Sequence, residues 1–150
     1  MESLLDAYRR TRYVVETPDG EIVARIGEHS PGLETLMAQE RTTTAAMITA
    51  WNPLSRPTPG GANRDANLRL AGDLRAHCAA VLPGRGEGTD GTWPPEASFL
   101  AIGIGRQAAE DLGRTYRQHA IVWFETGHPP ELLPLSDEAL AASRPEPSIP

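Results

Sequence analysis

Thr43-Thr44-Ala45-Ala46-Met47-Ile48-Thr49-Ala50-Trp51 is a near-continuous apolar run, and Asn52-Pro53 ends it sharply. A short run of this kind bounded by turn signals reads as a buried central strand. Residues 52–62 then hold three prolines and two glycines, so they form a loop. From about Asn63 to Ala79 the spacing turns helical. At about 100° per residue, Ala66, Leu70, Ala71, Leu74, His77 and Cys78 share one face, while Arg64, Asp65, Arg69 and Arg75 point away. Asn63 and Asn67 fall on the apolar stripe at its N-terminal end. Two amides are therefore expected to point inward, beside the proline loop and the positive end of the helix dipole.

The flanks complete the plan. Upstream, Ser3–Arg10 reads as a short helix with Leu4, Leu5 and Tyr8 on one face. Tyr13–Glu16 and the alternating Glu21–Ile26 form a β-hairpin around Pro18-Asp19-Gly20. Ser30-Pro31 resembles an N-cap with proline at the first helical position, ahead of Leu33, Leu36 and Met37. Downstream come a strand from Ala80, a strand over Ser98–Ile104, a helix over Gln107–Arg117 and a strand over His119–Phe124. Glu131-Leu132-Leu133 is a candidate short edge. The order α-ββ-α-β-α-ββ-α-β gives an α+β class, with a mixed, mostly antiparallel sheet and helices packed on it. It also raises an internal ββαβ duplication as an idea. The domain is expected to span 1–135, and residues 136–150, polar and rich in proline, to be a disordered tail.

Composition excludes several classes. The chain has 150 residues and a net charge of −6, which suits one domain and argues against a general nucleic-acid binder. All 14 basic residues are arginine. Without a lysine there is neither Schiff-base nor P-loop lysine chemistry. The single Cys78 offers no internal disulfide or thiolate cluster, and no apolar run approaches the about 20 residues of a membrane span. No signal segment is visible at Met1, so a soluble, cytoplasmic protein is expected. His29, His119 and His128 lack the close pairing of zinc sites; neither a metal nor a cofactor is expected.

The candidate site lies where the central strand meets the loop. Trp51, Asn52, Ser55 and Arg56 leave the strand together, and Asn63 and Asn67 follow at the helix start. A helix N-terminus offers free N–H groups to an anion, and Arg56 adds a bidentate fork. In this view Trp51 or Trp93 stacks on a ring and the amides orient the ligand. Glu96, held behind Trp93-Pro94-Pro95, is a weak candidate for the acid/base. The alternative is that the amides simply cap helix ends and pin the loop. Gly103-Ile104-Gly105-Arg106-Gln107-Ala108, with Glu125 downstream, imitates a dinucleotide fingerprint, but too little chain follows to build the parallel strands; a strand-to-helix turn is the better account. Gly84-Arg85-Gly86-Glu87-Gly88 lacks the Gly-Lys-Ser/Thr ending of a P-loop and reads as a flexible hairpin loop or lid. His77 is expected to be a packed imidazole, and Ser55 and Ser98 lack the context of a nucleophile elbow.

Ile48-Thr49-Ala50-Trp51-Asn52-Pro53-Leu54-Ser55-Arg56 with Asn63, Tyr8–Tyr13, Trp93–Ser98 and Leu112–Trp123 resemble the bacterial domain of unknown function 3293, over about residues 5 to 133. The resemblance implies a small, stand-alone bacterial protein with no established activity. Asn52, Ser55, Arg56, Asn63, Glu96 and Gln118 are its matching polar positions, and Gln118 joins the candidate site on that ground. At His119 the family's usual residue is a small amide, so the imidazole departs from the pattern. The leading functional expectation is binding of a small anionic or nucleotide-like ligand at the Trp51–Arg56 loop and Asn63 helix start, with enzymatic activity left open. The second is a non-catalytic protein-interaction or regulatory module whose polar cluster is structural.

Overall fold

The computed structural model describes residues 4–89 and 94–144. Leu4–Arg10 is α1, and Arg12–Thr17 and Gly20–Ala24 are β1 and β2. Gly20 closes their hairpin at φ +123°, a conformation side chains rarely adopt. Pro31–Gln39 is α2; Ser30 precedes it without a side-chain capping bond. Thr44–Ile48 is β3, Pro53–Ser55 one turn of 3₁₀ helix, and Gly60–Arg75 α3. Ala80–Glu87 is β4, Glu96–Ile102 β5, Arg106–Thr115 α4, Ala120–Glu125 β6, Glu131–Pro134 β7 and Asp137–Ser143 α5. None of these helices is long and apolar enough to cross a membrane.

The fold is a single-domain α+β arrangement around one seven-stranded sheet, ordered β2-β1-β4-β5-β3-β6-β7. Every pairing between described strands is antiparallel, more uniform than a mixed sheet. The sheet curls. Gly27 N–H donates to Pro130 O at 2.9 Å and Gly127 N–H to Glu34 Oε2 at 3.2 Å, so loops from its two edges meet beside α2. Alternation along the strands divides the core. One face sets Ala46, Ile48, Ile121 and Trp123 against Leu70 and Leu74 of α3 and Ala109 of α4. The other sets Val15, Met47, Leu100, Val122 and Phe124 against Leu33 and Met37 of α2.

Four expectations change. Pro83-Gly84-Arg85-Gly86-Glu87 is strand β4 rather than a loop or lid, paired to β1 and β5. Its glycine is required by contact: a Cβ on Gly84 would lie 2.5 Å from Val14 O and 2.6 Å from Met47 Cε. On the opposite face Arg85 pairs with Glu21 at 2.7 Å, which stitches β4 across β1 to β2. Secondly, α3 starts at Gly60 and stops at Arg75, so the periodicity does not carry to His77, which is exposed. Thirdly, residues 137–143 are helical instead of disordered, whereas 145–150 lie outside the described residues. Ser136 Oγ accepts the Ala139 N–H at 3.0 Å and sits 2.6 Å from Nδ1 of buried His119, and Ala139 is buried. Finally, the duplication has no topological counterpart. In the first half the hairpin's first strand, β1, is the one nearer β3, whereas in the second half the hairpin's second strand, β5, is the one nearer β6. Gly103, at φ +87°, turns β5 toward α4 within this antiparallel sheet, as a strand-to-helix turn does.

Candidate functional site

The loop after β3 is strained and held by amides. Asn52, Leu54 and Ser55 take φ of 45°, 53° and 58°. Left-handed backbone costs a non-glycine residue about 1–2 kcal/mol, and asparagine tolerates it better than leucine. The compensating bonds are specific. Asn52 N–H donates to Asn63 Oδ1 at 2.9 Å, and Asn52 Oδ1 accepts Thr58 N–H at 3.0 Å and Asn63 Nδ2 at 2.8 Å. Asn63 Nδ2 also donates to Thr58 O at 3.1 Å. One turn along α3, Asn67 Oδ1 accepts Ala50 N–H at 2.8 Å and its Nδ2 donates to Ala97 O at 3.0 Å. Leu54 N–H reaches Arg117 O at 2.7 Å, and Gln118 Nε2 donates to Trp51 O at 3.3 Å. Asn63 and Asn67 are 2% and 5% exposed, and these bonds engage them with neighbouring chain.

Beside this amide cluster, on the α2 face of the sheet, lies a cavity of about 320 Å³ with α1 as one wall. Its origin is readable in the register. β5 alternates Glu96, Ser98, Leu100 and Ile102 toward one face, so the apolar face turns polar as it approaches α1. Ser98 pairs with Gly84, and Glu96 with Gly86, which in turn faces Tyr13 of β1. The missing side chain at Gly86 therefore leaves space in front of the carboxyl, whereas at Gly84 the Met47 side chain and Val14 O take that place. Tyr8, Ser55 and Gln118 also line the cavity, and Met47 and Val122 give it an apolar side.

The electrostatics follow from enclosure. Burial holds the Glu96 carboxyl above the usual carboxylate range, although a hydrogen bond from Asn52 Nδ2 to Oε1 at 3.0 Å partly offsets it. Burial also pushes the Tyr8 phenol up to about 12, against a hydrogen bond with Ser55 and with added repulsion from Glu96. Tyr13, raised further by burial, donates its hydroxyl to Tyr8 O at 3.0 Å. Ser98 is 7% exposed, and its Oγ has no hydrogen-bond partner among the described residues. A buried hydroxyl left without one costs about 1–3 kcal/mol. Chemically, the wall offers hydroxyl donors and a carboxyl whose proton burial holds more tightly than water would.

The predicted site residues thus divide. Ser55, Glu96 and Gln118 line the cavity, and Asn52 holds Glu96. Asn63 and Asn67 brace the loop behind it. Arg56 is exposed, and neither it nor half-buried Trp51 is among the lining residues. Because α3 begins three residues before Asn63, the amide does not stand at the free helix end. Trp93 lies outside the described residues. Tyr8, Tyr13, Ser98 and the two β4 glycines were not among the site candidates. The one legible signal was period two in β5, which places Glu96 and Ser98 on the face that Leu100 and Ile102 bury; pairing with Gly84 and Gly86 depends on strand order.

Residues 48–121 match the family described as protein of unknown function (DUF3293). That span runs from the end of β3 to the start of β6 and includes Asn52, Asn63, Asn67, Glu96, Ser98 and Gln118. Neither a curated protein nor a solved structure matches the chain.

Proposed function

We propose that the chain, whose residues 48–121 match a family with no assigned activity, binds a small organic molecule in the cavity beside α1. The observation that carries this reading is Ser98: a buried hydroxyl without a partner among the described residues, facing a hollow large enough for a small ligand. Glu96 supplies a second polar anchor, and the amide cluster fixes that anchor's position. An interaction module would account for the engaged amides but leaves Ser98 unexplained. The site expected around Arg56 is replaced in this reading by one whose walls come from α1, β1, β4 and β5.

The test is a fragment screen by ligand-observed NMR, run in parallel on the wild-type chain and on Gly86→Leu. A Cβ at Gly86 meets only Thr11 Cγ2 at 3.4 Å and Tyr13 Cε1 at 3.9 Å, so a larger side chain there projects into the cavity while the strand is kept. Fragments that bind the wild type and are lost in a folded Gly86→Leu support the proposal. A screen without hits, or hits indifferent to the plug, overturns it.

A further inference from the structure

We infer that the ligand of this cavity carries a cationic N–H head group, an ammonium or amidinium, which docks on Glu96 and Ser98 while its apolar body lies toward Met47 and Val122. This rests on the cavity reading and names the chemistry that would occupy it.

The donor and acceptor pattern is fixed by the loop. Asn52 Oδ1 already accepts a main-chain N–H from Thr58, so the amide cannot be turned and must present Nδ2 to Glu96. Glu96 Oε1 is therefore an acceptor, and Oε2 has no partner among the described residues. An ionised carboxylate can only accept. The charge balance points the same way. The chain contains no lysine, and among the described residues no ion pair joins an arginine to Glu96; Arg12 and Arg85 pair with Glu87, and Arg85 also with Glu21 and Glu16. Arg10, which also lines the cavity, is exposed and has an interaction of its own. A half-buried carboxylate without a counter-charge is costly, and a ligand cation removes that cost while an anion adds repulsion. Tyr8 and Tyr13 line the same space, and aromatic rings attract cations further. The raised Glu96 pKa agrees: without ligand, a proton is the favoured cation there.

The experiment is calorimetric titration of the full chain at about pH 7.5 with two sets of matched probes. One set is 2-phenylethylamine, 2-phenylethanol and phenylacetate; the other is hexylamine, hexanol and hexanoate. The amine is expected to bind at least about tenfold tighter than its alcohol, and the carboxylate not to bind. Glu96→Gln, which keeps an oxygen for Asn52 Nδ2, should erase the amine's advantage and leave the alcohol unchanged. Should that variant fail to fold, the wild type gives the same readout: amine affinity falls toward about pH 5 as Glu96 takes a proton, and alcohol affinity does not. The other groups facing Glu96 are Tyr8 and Tyr13, whose phenols burial raises, and Arg10 at the rim. If the alcohol matches the amine, the carboxylate wins, or the preference survives in Glu96→Gln, the cationic assignment is overturned and the cavity reading stands. If no probe binds by about 1 mM, the cationic assignment falls, and the plug comparison decides the cavity reading separately.

Discussion

Two polar regions meet at the bond from Asn52 Nδ2 to Glu96, and they differ in how fully their hydrogen-bonding capacity is used. On the loop side, Asn52, Asn63 and Asn67 bond one another and nearby main chain at 2.8–3.1 Å. On the cavity side, Ser98 Oγ has no partner among the described residues and Glu96 is lifted by burial. The contrast separates two tasks that look alike in a sequence. A saturated cluster stabilises a strained backbone; an unsaturated wall keeps bonding capacity for something else.

Substitutions can break or sharpen that contrast. The largest effect is expected at Gly84→Val under the cavity, where main-chain oxygen and Met47 leave no room for a Cβ. Overpacking against backbone should cost about 3 kcal/mol or more, read by urea unfolding; a stable variant would mean the floor is not as drawn. Next come Asn63→Leu and Asn67→Leu. Each strands main-chain groups, so each should lose about 2–4 kcal/mol in the same assay. A loss below about 1 kcal/mol would place the loop's stability elsewhere.

Glu96→Gln sharpens the comparison through pH. Because the folded chain holds this proton more tightly than the unfolded chain, its contribution is full below the unfolded carboxylate range and is lost as pH rises through the folded value. Replacing the carboxyl with an amide removes the cost of the buried charge. The variant should melt at a temperature at or above wild type near pH 8, with its advantage shrinking toward about pH 4; an advantage that grows on acidification would contradict this. Ser98→Ala should leave stability within about 1 kcal/mol, on the stabilising side, since it removes an unpaired hydroxyl. Arg56→Ala should shift thermal unfolding by no more than about 0.5 kcal/mol and leave cavity binding intact. A loss of binding there would return the site to the loop.

Much of this was legible because local periodicity is a local property. The hairpin around Gly20, the existence of the central strand (which stops at Ile48 rather than Trp51) and the inward placement of Asn63 and Asn67 beneath Leu70 and Leu74 follow from spacing alone. Glycine misled at β4. Two glycines and a proline in a row of strand residues usually mark a loop, yet Gly84 is there because Val14 and Met47 press on it from other elements. The tail misled as well, because Ser136 and Ala139 gain their order from His119 and the domain wall, outside the segment itself.

By itself the sequence determined the element order from α1 to β6, the α+β class and which amides face inward, since side-chain periods of two and about 3.6 are set by neighbouring residues. Only the tertiary structure decided which polar groups are satisfied. That depends on β4 lying between β1 and β5, an arrangement made by pairing across distant segments, which brings Gly84 and Gly86 opposite Ser98 and Glu96.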